Sequence, residues 1–380
     1  MKKLPSFIER SPQLKAEITA VIAAAVGGMF ILAQLYLRLL EDKTTERTVR
    51  KTINQFQKQT SESSEVQKLK ALGQAYDQTM DRINKQKQGL KELANNVLTW
   101  VAFAERPLTT EQLQHALAVE DGEPELGEDN FPEIAVMVSV CAGLVTVDER
   151  NIVRLVHYTT QEYFERTKKQ WFPRAETYIT NTCINYISLT TFAVGDDRKW
   201  SEIINRGRID CLYLYAIKKW GNHARKDSKL NPKVVEFLES RVRPEFKMQV
   251  GAEDVLFSHK EFNPPPSVGS GLHLAAYFGL DNTVRALISR GHRPDKVDAL
   301  NRTPLSWAAA NVFGKSTVEM PTQRSVGAGG MSESDLSGRD RFTIQGPTPP
   351  VWETINTHKK IAQILLDTGK INPESKDRYG

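Results

Sequence analysis

The apolar positions of this chain change period several times, and each change marks an element. Uncharged residues run without a break from Ile18 to Leu37, between Lys15 and Arg38, a length that could span a bilayer. Thr19, Gln34 and Tyr36 interrupt the run and its first half is Ala and Gly, which contribute little transfer energy. The pattern predicts a buried core helix, with a membrane anchor as the alternative. Residues 41–93 carry charge-rich runs such as Lys51–Lys58 and Asp81–Lys91, broken by Ser61–Ser64, and predict two or three solvated helices. From Val97 the spacing of Val97, Trp100, Val101 and Ala104 draws one face of a helix that Pro107 stops. Thr109 and Gln112 form a capping box ahead of Leu113, Ala116 and Leu117. A third helix follows, with Asn130 as its cap, Pro132 at an early position and Ile134, Met137, Val138 and Cys141 along its stripe.

The period then switches to two. Leu144–Val147 and Ile152–Val156 are β-branched runs around Asp148-Glu149-Arg150-Asn151, a hairpin signal. Three helices followed by a hairpin is the order of a winged helix. A further helix opens at Thr159 with Glu162 and carries Tyr163 and Phe164. Helical spacing returns from Pro173 to about Arg241, in the stripes Tyr178, Ile179, Thr182, Cys183, Tyr186, Ile187 and Leu212, Tyr213, Tyr215, Ala216, Trp220.

The prolines after Asn263 mark a boundary, and an internal repeat lies beyond them. Gly271-Leu-His-Leu-Ala-Ala276 realigns on Pro304-Leu-Ser-Trp-Ala-Ala309 at a spacing of thirty-three residues, the ankyrin period. Val284–Gly291 reads as the second helix of the first unit with its glycine stop, and Asn301–Leu305 as the turn into the next. The second unit's own second helix, Ile361–Gly369, comes only after a stretch rich in Ser, Gly, Pro and Thr, of which residues 316–352 read as a disordered loop.

Composition narrows the class. The 380 residues hold 40% hydrophobic and 26% charged side chains, which excludes a wholly disordered chain and predicts two to four domains. Fifty-one basic against 46 acidic side chains leave +5, too small an excess to argue for nucleic acid. Cys141, Cys183 and Cys211 show no zinc or disulfide spacing and predict free buried thiols in a reducing compartment. The apolar run begins after seventeen residues that include Glu9 and Glu17, which argues against a cleaved signal.

Five phrases resemble the fungal NACHT and ankyrin proteins, which are similar to NOD-like receptors. They are Gly28–Ala33, Arg106–Thr109, Cys141–Asp148, Leu155–Phe164 and Trp220–Ala224. The resemblance covers most of residues 18–310 and is most specific over 97–192. It implies the tail of a NACHT-like helical lid at 1–94, a winged helix of the type named after GPI inositol-deacylase at 95–168, a helical domain at 169–262, and ankyrin repeats at 263–380. It also places the Gly28 to Ala33 segment in a cytosolic helical region. The family's NTPase core has no counterpart among these residues.

Three chemistries compete with the bland reading. Ala309-Ala-Asn-Val-Phe-Gly-Lys-Ser316 matches a loosened phosphate-loop pattern, but its first glycine is Ala309 and it follows a helix where the motif needs a strand. Cys141 and His157 invite a thiol nucleophile, yet Cys141 sits on an apolar stripe and no third orienting group is suggested. No GxSxG elbow occurs. A winged helix reads DNA with its third helix, but between Phe131 and Cys141 the only ionised residue is Glu133, so that helix can neither neutralise phosphates nor pair with guanine.

The expectation is a mainly α chain: a helical region, a winged helix with a β-hairpin, a second helical region and a short ankyrin segment. The expected function is non-enzymatic, a cytoplasmic regulatory protein that recognises a protein partner, with no catalytic residues, cofactor, metal, nucleic acid or small-molecule ligand. Recognition is expected through Tyr277 and Phe278 on the inner helix and through Asp298, Leu300, Asn301 and Arg302 at the turn tip. A nuclear ankyrin co-regulator and a membrane-tethered scaffold are the alternatives.

Overall fold

A computed structural model describes residues 4–26, 30–60, 65–190, 212–227, 229–240, 269–298, 301–313 and 351–372. The expected loop at 316–352 lies outside them except for its last two residues, and Cys211 and Leu300 lie outside them as well. The fold is mainly α, with one small antiparallel sheet of three strands. The chain divides into two compact units, residues 1–118 with 127–175, and residues 119–126 with 176–380.

The first unit opens with α1 (Ser6–Arg10), α2 (Pro12–Val26), α3 (Phe30–Leu40), α4 (Glu46–Thr60) and α5 (Glu65–Asn84). Of the apolar run, the described residues belong to α2 and α3, and residues 27–29 between them lie outside the described residues. Ile18, Val21 and Ile22 of α2 and Leu32, Leu35, Tyr36, Leu39 and Leu40 of α3 are buried in protein. Among the described residues no helix is long and apolar enough to cross a membrane.

The polar helices α4 and α5 are not solvated rods. α4 buries Val49, Ile53 and Phe56, and Phe56 stacks on Tyr36 of α3 with ring centroids 3.8 Å apart. α5 buries Ala71, Leu72, Ala75, Tyr76, Met80 and Ile83, an i, i+4, i+8 seam on an otherwise charged helix. Each large apolar side chain so buried contributes about 1.5–3 kcal/mol, enough to hold the helix despite its composition.

The winged helix follows as α6 (Gln88–Phe103), β1 (Leu108–Thr109), α7 (Thr110–Ala118), α8 (Ile134–Val140), β2 (Val145–Val147), β3 (Ile152–Leu155) and α9 (Tyr158–Trp171). The capping box at α7 forms as the sequence requires: Gln112 N–H donates to Thr109 Oγ1 at 3.1 Å and Thr109 N–H to Gln112 Oε1 at 3.3 Å. Strand order is β1-β3-β2, with Leu108 opposite Val153 and Val145 opposite Leu155. Asp148 fixes the wing's turn, its Oδ1 accepting from Arg150 N–H and Ile152 N–H at 2.9 Å each while Asn151 takes the left-handed φ of 58°.

Two caps differ from expectation. Asn130 belongs to a short 3-10 turn, Glu128–Asn130, and α8 starts later, at Ile134, with no side-chain cap. α9 is capped by His157, whose Nδ1 accepts from Thr159 N–H at 3.3 Å, and not by a Thr159–Glu162 box. The boundaries expected at 94 and 168 fall inside α6 and α9.

In the second unit α10 (Ala175–Ile187, in this unit from Glu176), α11 (Tyr213–Lys226) and α12 (Pro232–Glu239) precede two helix pairs, α13 (Gly271–Phe278) with α14 (Asp281–Ser289), and α15 (Pro304–Phe313) with α16 (Val351–Leu366). These labels count described helices only. α13 packs on α15 and α14 on α16, while α11 and α12 cover the other side of the first pair. Trp220 of α11 meets Phe278 edge-on at 4.8 Å, and Glu239 of α12 takes Arg290 at 2.5 Å. The segment 119–126 belongs to this unit through Thr190 N–H on Pro124 O at 2.8 Å and an Asp121–Lys233 ion pair.

Candidate interaction surface

The turn between the helix pairs is organised by a buried carboxylate. Asp298, 6% exposed, accepts Arg302 N–H on Oδ1 at 2.9 Å, and Arg302 Nε and Trp307 Nε1 on Oδ2 at 2.8 and 3.0 Å. Asn301 closes the bend with φ 57°, a conformation its short polar side chain tolerates. Thr303 then caps α15, accepting Ser306 N–H at 3.3 Å, and Pro304 takes the first helical position, where no N–H is needed.

His273 ties the first pair to this turn. Ser270 N–H donates to His273 Nδ1 at 2.9 Å, which leaves the proton on Nε2, and Nε2 donates to Arg302 O at 3.0 Å. Burial pushes His273 down to about 4. The unfolded chain binds that proton near pH 6.5 while the folded chain does not until about pH 4, so stability is full above 6.5 and falls as the pH drops between the two values. The loss reaches about 3 kcal/mol. Urea unfolding of the full chain at pH 7.5 and pH 5 should show it, and His273→Gln, which cannot titrate, should flatten the dependence. Equal pH slopes in the two proteins would exclude His273 as its source.

The sequence-derived contact residues separate on this geometry. Asn301 is exposed, and Arg302 is half-buried with its guanidinium 5.2 Å over the Trp307 ring. Tyr277 is half-buried, edge-on to Trp307 at 6.1 Å, and its carbonyl accepts His358 Nε2 at 2.9 Å. Phe278, expected to be exposed, is 3% exposed against Trp220, and Asp298 is spent on the turn, so both serve the fold. Leu300 is outside the described residues. Among the described residues of this tip the exposed apolar side chain is Val297, 47% exposed, which sequence reasoning missed because a lone valine beside turn residues carries no signal.

The first unit offers a different surface. A cavity of about 1150 Å³ opens between α3, the end of α5, α8 and β2, walled by Leu37, Ile134, Val138 and Val145 with Glu41 and Asp42 at its rim. Leu37 and Ile134 are each 39% exposed there. Arg82 donates to Arg38 O and, at 3.4 Å, to Ala142 O, and Gln86 to Val140 O at 2.7 Å, so the far ends of α3, α5 and α8 are bonded together beside the opening. The third winged-helix helix turns apolar atoms, not cations, toward this space.

Buried polar chemistry exists but is enclosed. Cys141 is fully buried with Sγ donating to Met137 O at 3.2 Å, burial pushes its thiol up, and His157 caps α9, which accounts for both members of the suspected pair. Sequence reasoning did not find Glu176, His223 and Tyr215, which form a chain of hydrogen bonds, Glu176 Oε2 to His223 Nδ1 at 2.6 Å and His223 Nε2 to Tyr215 Oη at 2.7 Å. All three are buried and line neither this cavity nor the smaller one in the second unit, so the arrangement ties α10 to α11. Among the described residues no group of three His, Cys, Asp or Glu side chains is placed to hold a metal. Ala309–Phe313 of the phosphate-loop look-alike is helical, the opposite of an open turn, and Gly314–Ser316 lies outside the described residues.

The family model described as GPI inositol-deacylase, winged helix domain matches residues 80–171. Neither a curated protein nor a solved structure matches the chain significantly. The match begins inside α5 and ends at the last residue of α9, so it takes in the α6–α9 helices, the three-stranded sheet and the wing turn. Residues 80–171 form a winged-helix domain of the GPI inositol-deacylase, NACHT-associated type.

Proposed function

We propose that this chain is a non-enzymatic regulatory protein of the NOD-like-receptor kind, working in the cytoplasm, in which α13–α16 are ankyrin-type repeats that recognise a protein partner. The observation that carries this reading is the linked pair of helix hairpins. Two units at a thirty-three-residue spacing stack α13 on α15, and His273 of the first reaches the Arg302 carbonyl in the entry turn of the second. That turn exposes Val297 and Asn301 beside the half-buried guanidinium of Arg302, an apolar, an amide and a cationic group within a few residues of one another. Docking of a protein at this tip suits such a mixture, because interfaces combine an apolar anchor with Arg and a polar rim.

The winged helix supports a protein-binding chain over a DNA-binding one, since α8 presents Ile134, Ala135 and Val138 where a DNA reader places Arg and Lys. The test is quantitative affinity capture with the full chain and with a Val297→Asp, Asn301→Gly double variant, glycine keeping the left-handed φ at 301. The expected outcome is a defined set of proteins whose recovery falls at least about tenfold in the variant, with unchanged circular dichroism and thermal midpoint. An identical captured set would place recognition elsewhere, and a saturable duplex-DNA shift at 150 mM salt would favour the nuclear reading.

A further inference from the structure

We propose that the cavity of the first unit is a strand-addition site, which takes an extended, acidic segment of a partner protein along the free edge of β2. β2 is an outer strand of the sheet, with β3 on one side and no strand on the other among the described residues. Val156 N–H donates to Leu144 O and Asp148 N–H to Ile152 O, each at 3.0 Å, and the register sets Thr146 opposite Arg154. Backbone groups alternate direction along a strand, so Leu144, Thr146 and Asp148 face β3, and the N–H and C=O groups of Val145 and Val147 face outward. Among the described residues those outward groups hold no hydrogen bond.

The same two valines line the cavity of about 1150 Å³. Their side chains share one face of β2, and the exposed Thr146 takes the other. A chain laid beside β2 therefore bonds to Val145 and Val147 and turns every second side chain into the cavity, against Leu37, Ile134 and Val138. The volume exceeds the ~300–1,000 Å³ of small-molecule sites and suits several side chains.

Charge selects the segment. Arg38 is half-buried on the cavity wall and rests against Gly143, where a Cβ would overlap its guanidinium. That guanidinium has no acceptor or ion-pair partner among the described residues. Arg82 beside it donates to two carbonyl oxygens, Arg38 O and Ala142 O, and likewise forms no ion pair among them. On the acidic side Asp42 is paired with Lys43 at 3.0 Å, which leaves Glu41 as the unpaired carboxylate of the rim. Two guanidinium groups against one unpaired carboxylate favour a segment with an acidic side chain near Arg38.

The test selects random dodecapeptides displayed on phage against the immobilised full chain, then measures the enriched peptides, synthesised with a fluorophore, by polarisation. They should alternate apolar and polar residues and carry Asp or Glu. Val147→Pro removes one outward N–H and keeps the β3 ladder, since an edge strand accepts proline there, and should weaken binding about tenfold. Leu37→Asp, at a 39% exposed position, places a carboxylate in the apolar wall and should abolish binding; it carries the test if Val147→Pro lowers the thermal midpoint. Arg38→Gln should weaken the acidic peptides about tenfold and leave their Asn or Gln analogues unaffected. Thr146→Ser, on the other face of β2, should change nothing. Absence of enrichment, or affinity that survives Leu37→Asp in a folded chain, overturns the proposal. A dimer in light scattering that Leu37→Asp dissolves gives the edge to a second copy and overturns it too. The turn tip of the second unit takes no part in these measurements, so the two readings fail separately.

Discussion

A fragment starting at residue 95 and ending at residue 175 should fail to unfold cooperatively, whereas one starting at residue 65 should show a sigmoidal transition in urea. The shorter fragment removes α5, yet α5 is part of the winged helix's interior. Tyr76 Oη lies 2.9 Å from both Thr159 Oγ1 and Thr160 Oγ1, Tyr163 Oη donates to Asp77 Oδ1 at 2.6 Å, and Gln86 donates to Val140 O. The Tyr76 ring also lies 4.9 Å from that of Tyr163, while the rest of the α5 seam is shared with α3 and α4. At about 1.5–3 kcal/mol for one large buried side chain and about 1 kcal/mol for each hydrogen bond, the loss is a large share of the stability of an ordinary domain, about 5–15 kcal/mol. Cutting at 95 also removes the first turns of α6. Equal urea midpoints for the two fragments would show that α5 is an accessory.

In the second unit, Gly271→Ala should cost about 3 kcal/mol or more, and Gly221→Ala should act in the same direction. Helix propensity alone argues the reverse, favouring alanine by about 1 kcal/mol inside a helix. The surroundings decide otherwise. A Cβ on Gly271 would lie inside the van der Waals envelope of the Leu238 carbonyl oxygen and 2.9 Å from its carbonyl carbon, so backbone would have to move. A Cβ on Gly221 would enter the ring of Phe278, which Trp220 at 4.8 Å and Tyr277 at 5.2 Å hold in place. Overpacking of this kind costs about 1–3 kcal/mol with a flexible neighbour and more against backbone. Tryptophan fluorescence during urea unfolding of the full chain reads it through Trp220. An unchanged midpoint in Gly271→Ala would mean that α12 does not seat on α13.

The parts of the fold that sequence made legible are those specified within a few residues. The β-branched runs on either side of Asp148–Asn151 make the wing, and Thr109 with Gln112 makes the α7 cap. β1 was not legible, because two residues, Leu108 and Thr109, carry no alternation and become a strand only by pairing with Ile152 and Val153. α4 and α5 were misjudged as solvated because average polarity hides a seam as narrow as Val49, Ile53 and Phe56. The candidate surface was legible in position and not in side chains. Thirty-three-residue spacing located the turn, but which of its residues face inward depends on groups elsewhere, Trp307 for Asp298 and Trp220 for Phe278. The smaller cavity of the second unit gave no sequence signal, since Arg225 and Lys360 approach only through packing.

The two described cysteines give each unit its own reporter. Cys141 sits at 0% exposure in the first unit and Cys183 at 0% in the second, and burial raises the pKa of both thiols, so neither offers a thiolate to solvent while its unit is closed. Alkylation of each therefore proceeds only through opening of its own surroundings, and mass spectrometry of the two peptides separates them. With Cys211 replaced by serine, the chain becomes a pair of internal clocks. The ratio of their rates measures which half of the molecule loosens first when a partner or a change of pH is applied, without an added dye and with no engineered change beyond Cys211→Ser.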